Sequence, residues 1–209
     1  MPELKRLRLS SLDSIEVDDA LLRAIGEEER LMPHFHLSAQ SGDDMILKRM
    51  KRRHNREHTI RFCETVRRLR PDAAFGADLI AGFPSETEAM FANTLALVDE
   101  AGLSYLHVFP FSPRKGTPAA RMPQVERAAV KERAARLRAK GEQALSRHLA
   151  DLAGTEQDVL VEKPGFGRTP SFAPVRFAGA GAPGQIARLR IESTAGATLC
   201  GTMVLQAAA

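Results

Sequence analysis

The chain has 209 residues, of which 44% are hydrophobic and 27% are charged. This length and balance fit a globular protein of one or two domains that can bury a core of its own. No apolar run approaches the ~18 residues of a membrane span, and the N-terminus lacks the apolar core of a signal peptide, so we expect a cytoplasmic protein with no membrane partner. Two cysteines, Cys63 and Cys200, are too few for a disulfide framework or a four-ligand metal site.

The first two thirds of the chain alternate strand and helix patterns. Periodicity predicts strands over 6–11, 34–42, 75–81 and 103–109, and helices over 17–28, 43–50, 56–70 and 86–100. Asp18 is a suitable N-cap for the first helix, and Pro71 ends the third. Strands that alternate with helices predict parallel βαβ units, in either a doubly wound sheet or a barrel.

Positive charge is concentrated around the third predicted helix. Between Lys48 and Arg70 there are ten Lys or Arg and two Glu, a net charge of +8, whereas the whole chain carries +4. A basic segment of this kind fits a polyanion such as nucleic acid. A solvated helix face followed by a basic turn has the same composition, and the charge alone leaves both interpretations open.

From Gln124 the composition changes. A long segment rich in Ala, Arg, Lys and Glu predicts a helix that Gly154 ends, with Gly141 as a candidate bend. Four short strand patterns separated by Gly- and Pro-rich turns follow: "QDVLVEK", "SFAPVRF", "QIARLRIES" and "TLCGTMVLQ". About 55 residues of this pattern predict a small all-β barrel of OB-like size.

Polar residues cluster where the predicted parallel strands end, which is where α/β folds bind ligands. They are Ser10, Ser11, Asp13, Ser38, Gln40, Ser41, Asp78, the turn Gly82-Phe83-Pro84-Ser85, Pro110, Ser112 and Arg114. Each also has a structural explanation, since Ser41 or Asp43 can cap a helix and Gly82 and Pro84 can make a tight turn. Their coincidence at one rim indicates a ligand site without identifying the ligand.

Three histidines, His34, His36 and His107, lie in or beside the predicted strands. His34 and His36 share a face through the two-residue period of a strand, which suggests a metal pair. Because no third ligand stands at a convincing spacing, we interpret them as histidines of the sheet or its rim. The chain has no pattern of a Ser-His-Asp triad, a P-loop or GxGxxG. Cys63 lies on the apolar stripe of a helix, as a core residue does.

Basic residues recur on one face of the predicted small barrel. Arg188 and Arg190 alternate with apolar residues and so face outward, while Lys163, Arg168 and Arg176 lie on neighbouring strands. A basic face of this kind can follow a phosphate backbone. Solvated strand faces remain the alternative.

Five segments resemble a known family in their order and separation: "RLRLSSLDS", "HFHLSAQSGDDMILKRMKRRH", "DLIAGFPSETEAMFANTLALV", "LHVFPFSPRKGTPAARMPQV" and "KERAARLRA". They are similar to the C-terminal two thirds of the radical S-adenosylmethionine methylthiotransferases. "LRLSSLDS" and "GDDMILKRMKRRH" resemble the branch that acts on N6-threonylcarbamoyladenosine in tRNA. The tail, "VLVEKPGFGRTPSFAPVRF", resembles the TRAM domain, a small RNA-binding β-barrel.

The resemblance implies an α/β fold: the C-terminal part of a radical S-adenosylmethionine barrel with a trailing long helix (1–153), then a TRAM domain (154–209). It implies that cleavage of S-adenosylmethionine produces a radical that activates carbon 2 of an adenine next to the anticodon. A sulfur from one of two [4Fe-4S] clusters is then inserted and methylated. The implied partner is tRNA, with these candidate contacts: Arg52, Arg53, Arg114, Lys163, Arg168, Arg188 and Arg190.

The resemblance also implies which residues bind S-adenosylmethionine. Gln40 in "LSAQSG" matches a strand-end glutamine of the family, and Ile80 and Phe83 in "DLIAGFP" match the strand that lines the adenine. Ser11 and Asp78 lie at neighbouring positions of the same rim.

The cysteines depart from the family pattern. The family holds its clusters with a CxxxCxxC loop and three further cysteines, and this chain has neither. Because thiolates are the ligands of such clusters, Cys63 and Cys200 cannot replace them. We therefore expect a C-terminal fragment or truncated gene product, not catalytic by itself and with an open strand edge. The alternatives are a non-catalytic RNA-binding module, one half of a split enzyme with a separately encoded N-terminal half, and an unstable decaying gene product.

Overall fold

The computed structural model describes residues 3–179 and 181–204, which form a four-stranded parallel sheet with helices and a five-stranded closed barrel. The sheet unit contains β1 (Leu7–Leu12), α1 (Asp19–Glu27), β2 (Leu31–Gln40), α2 (Asp44–Arg49), α3 (Arg56–Leu69), β3 (Ala74–Ala81), α4 (Glu88–Glu100) and β4 (Leu103–Pro110). The chain continues through a 3-10 turn (Ala119–Arg121) and α5 (Arg127–Leu152) to β5 (Glu156–Lys163), β6 (Phe166–Arg168), β7 (Pro174–Phe177), β8 (Ile186–Ala195) and β9 (Thr198–Met203). The eight elements predicted before Gln124 are confirmed.

The sheet has the order β1-β2-β3-β4, with all strands parallel. Alternate side chains, such as Phe35, Leu37, Phe75 and Leu79, are buried in a core shared with the helices. The other side chains lie on what we call the open face, defined by His36, Gln40, Asp78, Ile80 and His107. A doubly wound sheet would carry helices on both faces. Helices cover one face here, so the barrel-type alternative is correct for this unit.

The sheet does not close into a barrel within the described residues. There, β1 pairs only with β2, and β4 pairs only with β3. The outer side of β4 is flanked by α5, whose Arg138 donates to the carbonyl of Val108 at 3.4 Å. At the start of β1, Leu7 is 45% exposed. The predicted open strand edge therefore lies at β1.

Helix α5 joins the two units. Its Ala134 and Leu137 belong to the core of the sheet unit, whereas Leu149 belongs to the core of the barrel. The helix runs unbroken for 26 residues through Gly141, which is buried where α5 crosses Leu106 of β4. In the part of the chain that the structure describes, neither α5 nor any other helix is long and apolar enough to cross a membrane.

The C-terminal unit is a closed barrel with the order β5-β6-β7-β9-β8. Its core contains Val159, Val161, Val175, Leu189 and Leu199, all of which are inward positions of alternating strands. The sequence predicts four of the five strands; β6 has only three residues, too few for a period-two pattern to stand out. The last residues of the predicted strand "TLCGTMVLQ" lie outside the described residues.

The barrel packs against the amino-terminal ends of the parallel strands. Arg8 of β1 donates to the carbonyls of Thr169 and Pro170 at 3.1 and 3.2 Å. The hydroxyl of Tyr105, near the start of β4, donates to the carbonyl of Ser171 at 3.0 Å. The barrel therefore lies at the end of the sheet opposite to the strand ends where ligands are expected.

Phe172 is the centre of this junction. Its ring lies 4.5 Å from the guanidinium of Arg8 and 4.2 Å from that of Arg168, and 5.0 Å from the ring of His34. The φ of Phe172 is 75°, a left-handed conformation that a bulky residue adopts only when the surroundings enforce it. The junction is thus built from specific contacts and not from a flexible tether.

Candidate functional site

The carboxyl ends of three strands turn through left-handed residues. Ser11, the last residue but one of β1, has a φ of 58°, Gln40 ends β2 with 63°, and Gly82 follows β3 with 76°. Such a conformation costs about 1–3 kcal/mol for a residue other than glycine, and it tends to occur at functional sites. Ser11 and Gln40 therefore place backbone strain at the rim that the sequence indicates, while Gly82 adopts the same conformation without that cost.

A pocket of about 430 Å³ opens at this rim. Its apolar walls are Ile80, Phe109, Pro110 and Phe111, and its polar groups are Gln40, Asp78, Ser112, Arg114 and Thr117. Phe109 is 51% exposed, so an apolar surface is available to a ligand. Apolar walls with a few polar groups are typical of small-molecule sites.

The turn after β3 is fixed by a buried ion pair. The amide of Gly82 donates to Glu86 Oε2 at 2.9 Å, and Arg133 of α5 donates to the same oxygen at 2.9 Å. Burial raises the pKa of Glu86 even though both donors favour its carboxylate form. A Cβ at position 82 would lie 2.6 Å from Val130, so only glycine lets α5 approach this turn. The turn after β3 is therefore held in place against α5.

The turn after β2 is fixed by α4. Asp43 caps α2 through the amides of Met45 and Ile46, so the capping interpretation of Asp43 is confirmed. The amide of Gly42 donates to Thr94 Oγ1 at 2.9 Å. Gln40 is held between these contacts and the strand, which fixes its position at the rim.

The two segments that resemble the threonylcarbamoyladenosine branch contact each other. His54, from "KRMKRRH", lies 3.0 Å from Asp13 of "LSSLDS" through its Nδ1. Its Nε2 lies 3.1 Å from the carbonyl oxygen of Ala39 in β2. His54 therefore links the ends of β1 and β2, next to the rim.

The structure brings together three of the five predicted S-adenosylmethionine contacts. Gln40, Asp78 and Ile80 line the pocket. Ser11 is exposed at the end of β1 and does not line it. Phe83 is buried, with its ring 5.2 Å from that of Phe111, and so supports the pocket wall from behind.

Asp78 also belongs to a cluster with two histidines on the open face. His36 Nε2 lies 2.9 Å from Asp78 Oδ1, and His107 Nδ1 lies 3.2 Å from the same oxygen. The two imidazole ring centres are 4.7 Å apart. His34 lies two positions before His36 but packs against Tyr105 and Phe172 at the junction.

The arginines of the basic segment mostly bind the protein itself. Arg56 pairs with Glu100 at 2.6 Å, Arg67 donates to the carbonyls of Ala101 and Gly102, and Arg53 pairs with Glu16. Among the described residues, the side chains of Lys48, Lys51 and Arg52 make no hydrogen bond or ion pair. Of the two interpretations of this charge, a structural use accounts for most of the arginines, and three cations remain free for a polyanion.

The outer face of the barrel carries a row of free cations across its strands. Lys163 pairs in register with Phe166, Phe166 with Arg176, and Arg190 lies opposite Thr202 on the far side of β9. The ammonium of Lys163 lies 5.2 Å from the Phe166 ring. Within the described residues, Lys163, Arg176 and Arg190 have no acidic partner. We call these four residues, Lys163, Phe166, Arg176 and Arg190, the barrel row.

Two other predicted contacts on the barrel are neutralised by carboxylates. Arg168 lies 3.1 Å from Glu162 and stacks on Phe172, and Arg188 pairs with Glu156 and Asp158 at 3.2 and 3.0 Å. Arg114 is exposed and lines the pocket, away from the barrel. The seven predicted RNA contacts therefore lie in three regions: the basic segment (Arg52 and Arg53), the pocket (Arg114) and the barrel (Lys163, Arg168, Arg188 and Arg190).

Sequence reasoning missed part of the site. Phe109 alternates with His107 on the open face, a signal that period-two spacing carries. Phe111 and Thr117 lie in the loop after β4, where no periodicity exists. The pairing of Asp78 with His107 depends on the register of two strands, which the sequence does not encode locally.

Comparison with known proteins places the sheet unit in a broad class. Residues 6–98 match the family described as the Radical SAM superfamily. This range covers β1 to α4 and contains Gln40, Asp78 and Ile80 of the pocket. A solved structure described as coproporphyrinogen III oxidase (HemN) from Escherichia coli, a radical SAM enzyme, aligns over 68% of this chain and 32% of that chain, with a TM-score of 0.49 and 18% identity.

Curated relatives narrow the class. A threonylcarbamoyladenosine tRNA methylthiotransferase MtaB from Rickettsia prowazekii is 55% identical over 186 residues, which cover 89% of this chain and 44% of the relative. A tRNA-2-methylthio-N(6)-dimethylallyladenosine synthase from Erythrobacter litoralis is 39% identical over 100% of this chain and 48% of the relative. The chain belongs to the radical SAM methylthiotransferases, on the MtaB branch. It spans about half the length of the curated relatives that it matches.

Proposed function

We propose that these 209 residues supply the S-adenosylmethionine-binding and RNA-binding part of a tRNA methylthiotransferase in the cytoplasm. The proposed reaction is methylthiolation of carbon 2 of N6-threonylcarbamoyladenosine next to the anticodon. The observation that carries the proposal is the pocket at the strand ends, in a chain whose relative from Rickettsia prowazekii is named for this reaction.

The chemistry of the pocket fits S-adenosylmethionine. Ile80, Phe109 and Phe111 offer flat apolar surfaces for an adenine ring. Gln40 and Asp78 can accept hydrogen bonds from ribose hydroxyls or an ammonium group, and Arg114 can bind a carboxylate. When bound, this cofactor supplies the radical and the methyl group, while these residues orient it and exclude water. Ser11 and Phe83 remain proposed contacts at the edge and the back of the site.

We propose that the closed barrel is a TRAM domain and that the barrel row binds the phosphate backbone. Free cations contribute more than cations already paired with carboxylates, because a paired guanidinium must first lose its partner. Among the predicted contacts, Arg52, Arg114, Lys163 and Arg190 therefore contribute most to tRNA binding. Arg53, Arg168 and Arg188 contribute less. Phe166 adds a ring on which a base can stack.

The cluster ligands must come from polypeptide outside these 209 residues. Cys63 is fully buried, and burial raises the pKa of its thiol to about 12, which opposes thiolate formation. Cys200 lies on the outer surface of the barrel, in the other unit. The two [4Fe-4S] clusters of the family therefore have no ligand set here, and we propose that the chain alone is inactive. A separately encoded N-terminal half is one candidate source of the missing thiolates.

Cofactor binding tests the first part of the proposal. S-adenosylhomocysteine, titrated by calorimetry into the 209-residue chain, should bind once per chain. Ile80→Glu should weaken binding by at least about tenfold, since it places a charge against the adenine surface. The matched control is Asp19→Glu, an exposed position at the start of α1. Equal affinities for Ile80→Glu and the parent chain would reject this pocket as the site.

RNA binding tests the second part. The affinity for a tRNA anticodon stem-loop should fall steeply between 50 and 200 mM salt, and a Lys163→Ala/Arg190→Ala variant should have a shallower salt dependence by roughly two phosphate contacts. Arg188→Ala is the matched control, because its guanidinium is already neutralised. A larger loss in Arg188→Ala than in the double variant would contradict the role of the barrel row.

A separate measurement distinguishes the alternatives. After anaerobic reconstitution with iron and sulfide, the chain alone should show no thiolate-to-iron absorption. Appearance of that absorption would reject the proposed inactivity. If tRNA binds but activity never appears on addition of the N-terminal half of a relative, the chain is a binding module. If activity appears on that addition, it is one half of an enzyme.

A further inference from the structure

We propose that His36, Asp78 and His107 form a binding site for one divalent transition-metal ion on the open face of the sheet. Each of the three residues offers one ligand atom, and these atoms all lie within 4.8 Å of one another. Two imidazole nitrogens and one carboxylate oxygen are a ligand set that proteins use for zinc and for iron(II).

Two of the three distances between ligand atoms fit a metal ion, and the two imidazole nitrogens lie within 4.8 Å of each other. Adjacent ligands that lie about 2.0–2.1 Å from a zinc ion are roughly 2.9–3.4 Å apart in octahedral or tetrahedral geometry. Asp78 Oδ1 lies 2.9 Å from His36 Nε2 and 3.2 Å from His107 Nδ1. Both imidazoles thus converge on a single oxygen at the spacing that a shared cation requires.

The strand register and a glycine bring the three side chains together. Asp78 and His107 are direct partners in the register of β3 and β4, and His36 lies opposite Gly76, two residues before Asp78. A Cβ at position 76 would lie 2.5 Å from His36 Nδ1. Only glycine therefore leaves room for the His36 ring beside position 76, from where it reaches Asp78. Ligands on neighbouring strands are held more rigidly than ligands on loops.

The site is open to solvent on one side. The side-chain exposures are 12% for His36, 27% for Asp78 and 64% for His107, so a cation can enter from the open face. Three protein ligands with an open side leave at least one coordination position for water or a substrate group. Within the described residues nothing donates to Asp78 Oδ2, so the carboxylate can serve the metal ion and the adjoining pocket at once.

Zinc titration of the untagged chain tests the site, because a polyhistidine tag would bind zinc itself. After removal of metals with a chelator, we expect calorimetry to show one zinc ion bound per chain. When Co²⁺ replaces zinc, we expect visible absorption bands of the kind that a metal ion with a low coordination number gives. His107→Ala and Asp78→Asn should each weaken zinc binding by at least about tenfold. His107 is the most exposed of the three ligands, so His107→Ala is the variant least prone to misfold.

Three controls make the result specific. His58→Gln and Asp19→Asn alter a histidine and a carboxylate remote from the cluster, and Cys200→Ser removes the accessible thiol. All three should bind zinc as the parent chain does. Absence of saturable zinc binding in the parent chain would overturn the proposal. So would unchanged binding in His107→Ala and Asp78→Asn, or loss of binding in Cys200→Ser. Because zinc binding is measured directly, the outcome is independent of S-adenosylmethionine and tRNA binding.

Discussion

His34 lies at the junction of the two units, with its ring 5.2 Å from that of Tyr105 and 5.0 Å from that of Phe172. Burial, with a smaller contribution from the charge of Arg8, lowers the pKa of His34 to about 4. A histidine in an unfolded chain has a pKa near 6.5. The unfolded chain therefore binds more protons than the folded chain between these two pH values.

This difference makes stability depend on pH. The contribution of a neutral His34 is fully present above about pH 6.5 and is lost as pH falls toward 4. We expect the free energy of unfolding to fall by about 1.4 kcal/mol per pH unit in this window, or about 2 kcal/mol between pH 6.5 and 5. Urea unfolding at a series of pH values measures it.

His34→Phe provides the comparison, because it keeps an aromatic ring and removes the titration. Its unfolding free energy should fall less steeply between pH 6.5 and 5 than that of the parent chain. A slope remains, since burial also lowers the pKa of His148. Identical slopes in the two proteins would contradict the assignment to His34.

At the scale of elements, Gly42 sets how closely the turn after β2 approaches α4. A Cβ at this position would lie 2.5 Å from the carbonyl oxygen of Asn93 and 2.6 Å from the Cα of Thr94. Both are backbone atoms of a helix, so α4 itself would have to move. We expect Gly42→Ala to lower the free energy of unfolding by about 1–3 kcal/mol, as measured in urea.

Gly26→Ala is the matched control within the same unit. It lies in α1, where a Cβ would make ordinary contacts at 3.7 and 3.8 Å with Leu69. Alanine is favoured over glycine in a helix by roughly 0.5–1 kcal/mol, so this variant should be as stable as the parent chain or more stable. If Gly42→Ala were equally harmless, the close approach of the turn to α4 would not be a constraint.

What the sequence could predict follows the same division between local and long-range effects. Local features can be predicted from the sequence, because they depend on only a few neighbouring residues. Examples are the helix caps at Asp18 and Asp43 and the apolar periodicity of α3 and α4. Strand register is decided by packing across tens of residues. For this reason the sequence suggests a metal pair of His36 with His34, whereas in the fold His36 lies beside Asp78. The loop after β4 carries half of the pocket wall without any periodic signal.

At the scale of the whole molecule, Phe172 couples the two units. It contacts Arg8 and His34 of the sheet unit and Arg168 of the barrel. Phe172→Ala removes these contacts together, so the barrel should unfold at a lower denaturant concentration than the sheet unit. Tyr105, the only tyrosine in a chain without tryptophan, reports on this junction by its fluorescence.

In the parent chain we expect Tyr105 fluorescence and far-ultraviolet circular dichroism to change at the same urea concentration, as in a single cooperative transition. In Phe172→Ala the fluorescence should change first. Phe166→Ala, on the outer face of the barrel, is the matched control and should keep the two transitions coincident. Coincident transitions in Phe172→Ala would mean that α5 and the remaining hydrogen bonds of the junction carry the coupling without this ring.

The placement of the barrel sets a minimum length for whatever engages both units. It contacts the sheet near Tyr105, whereas the pocket opens near Pro110, five residues further along β4. Five steps of a strand span about 17 Å. Because α5 packs into both cores, this distance between the barrel contact and the pocket is fixed. A free nucleoside is too short to cover it. If tRNA binds as proposed, its contacts with the barrel would determine which base reaches the rim.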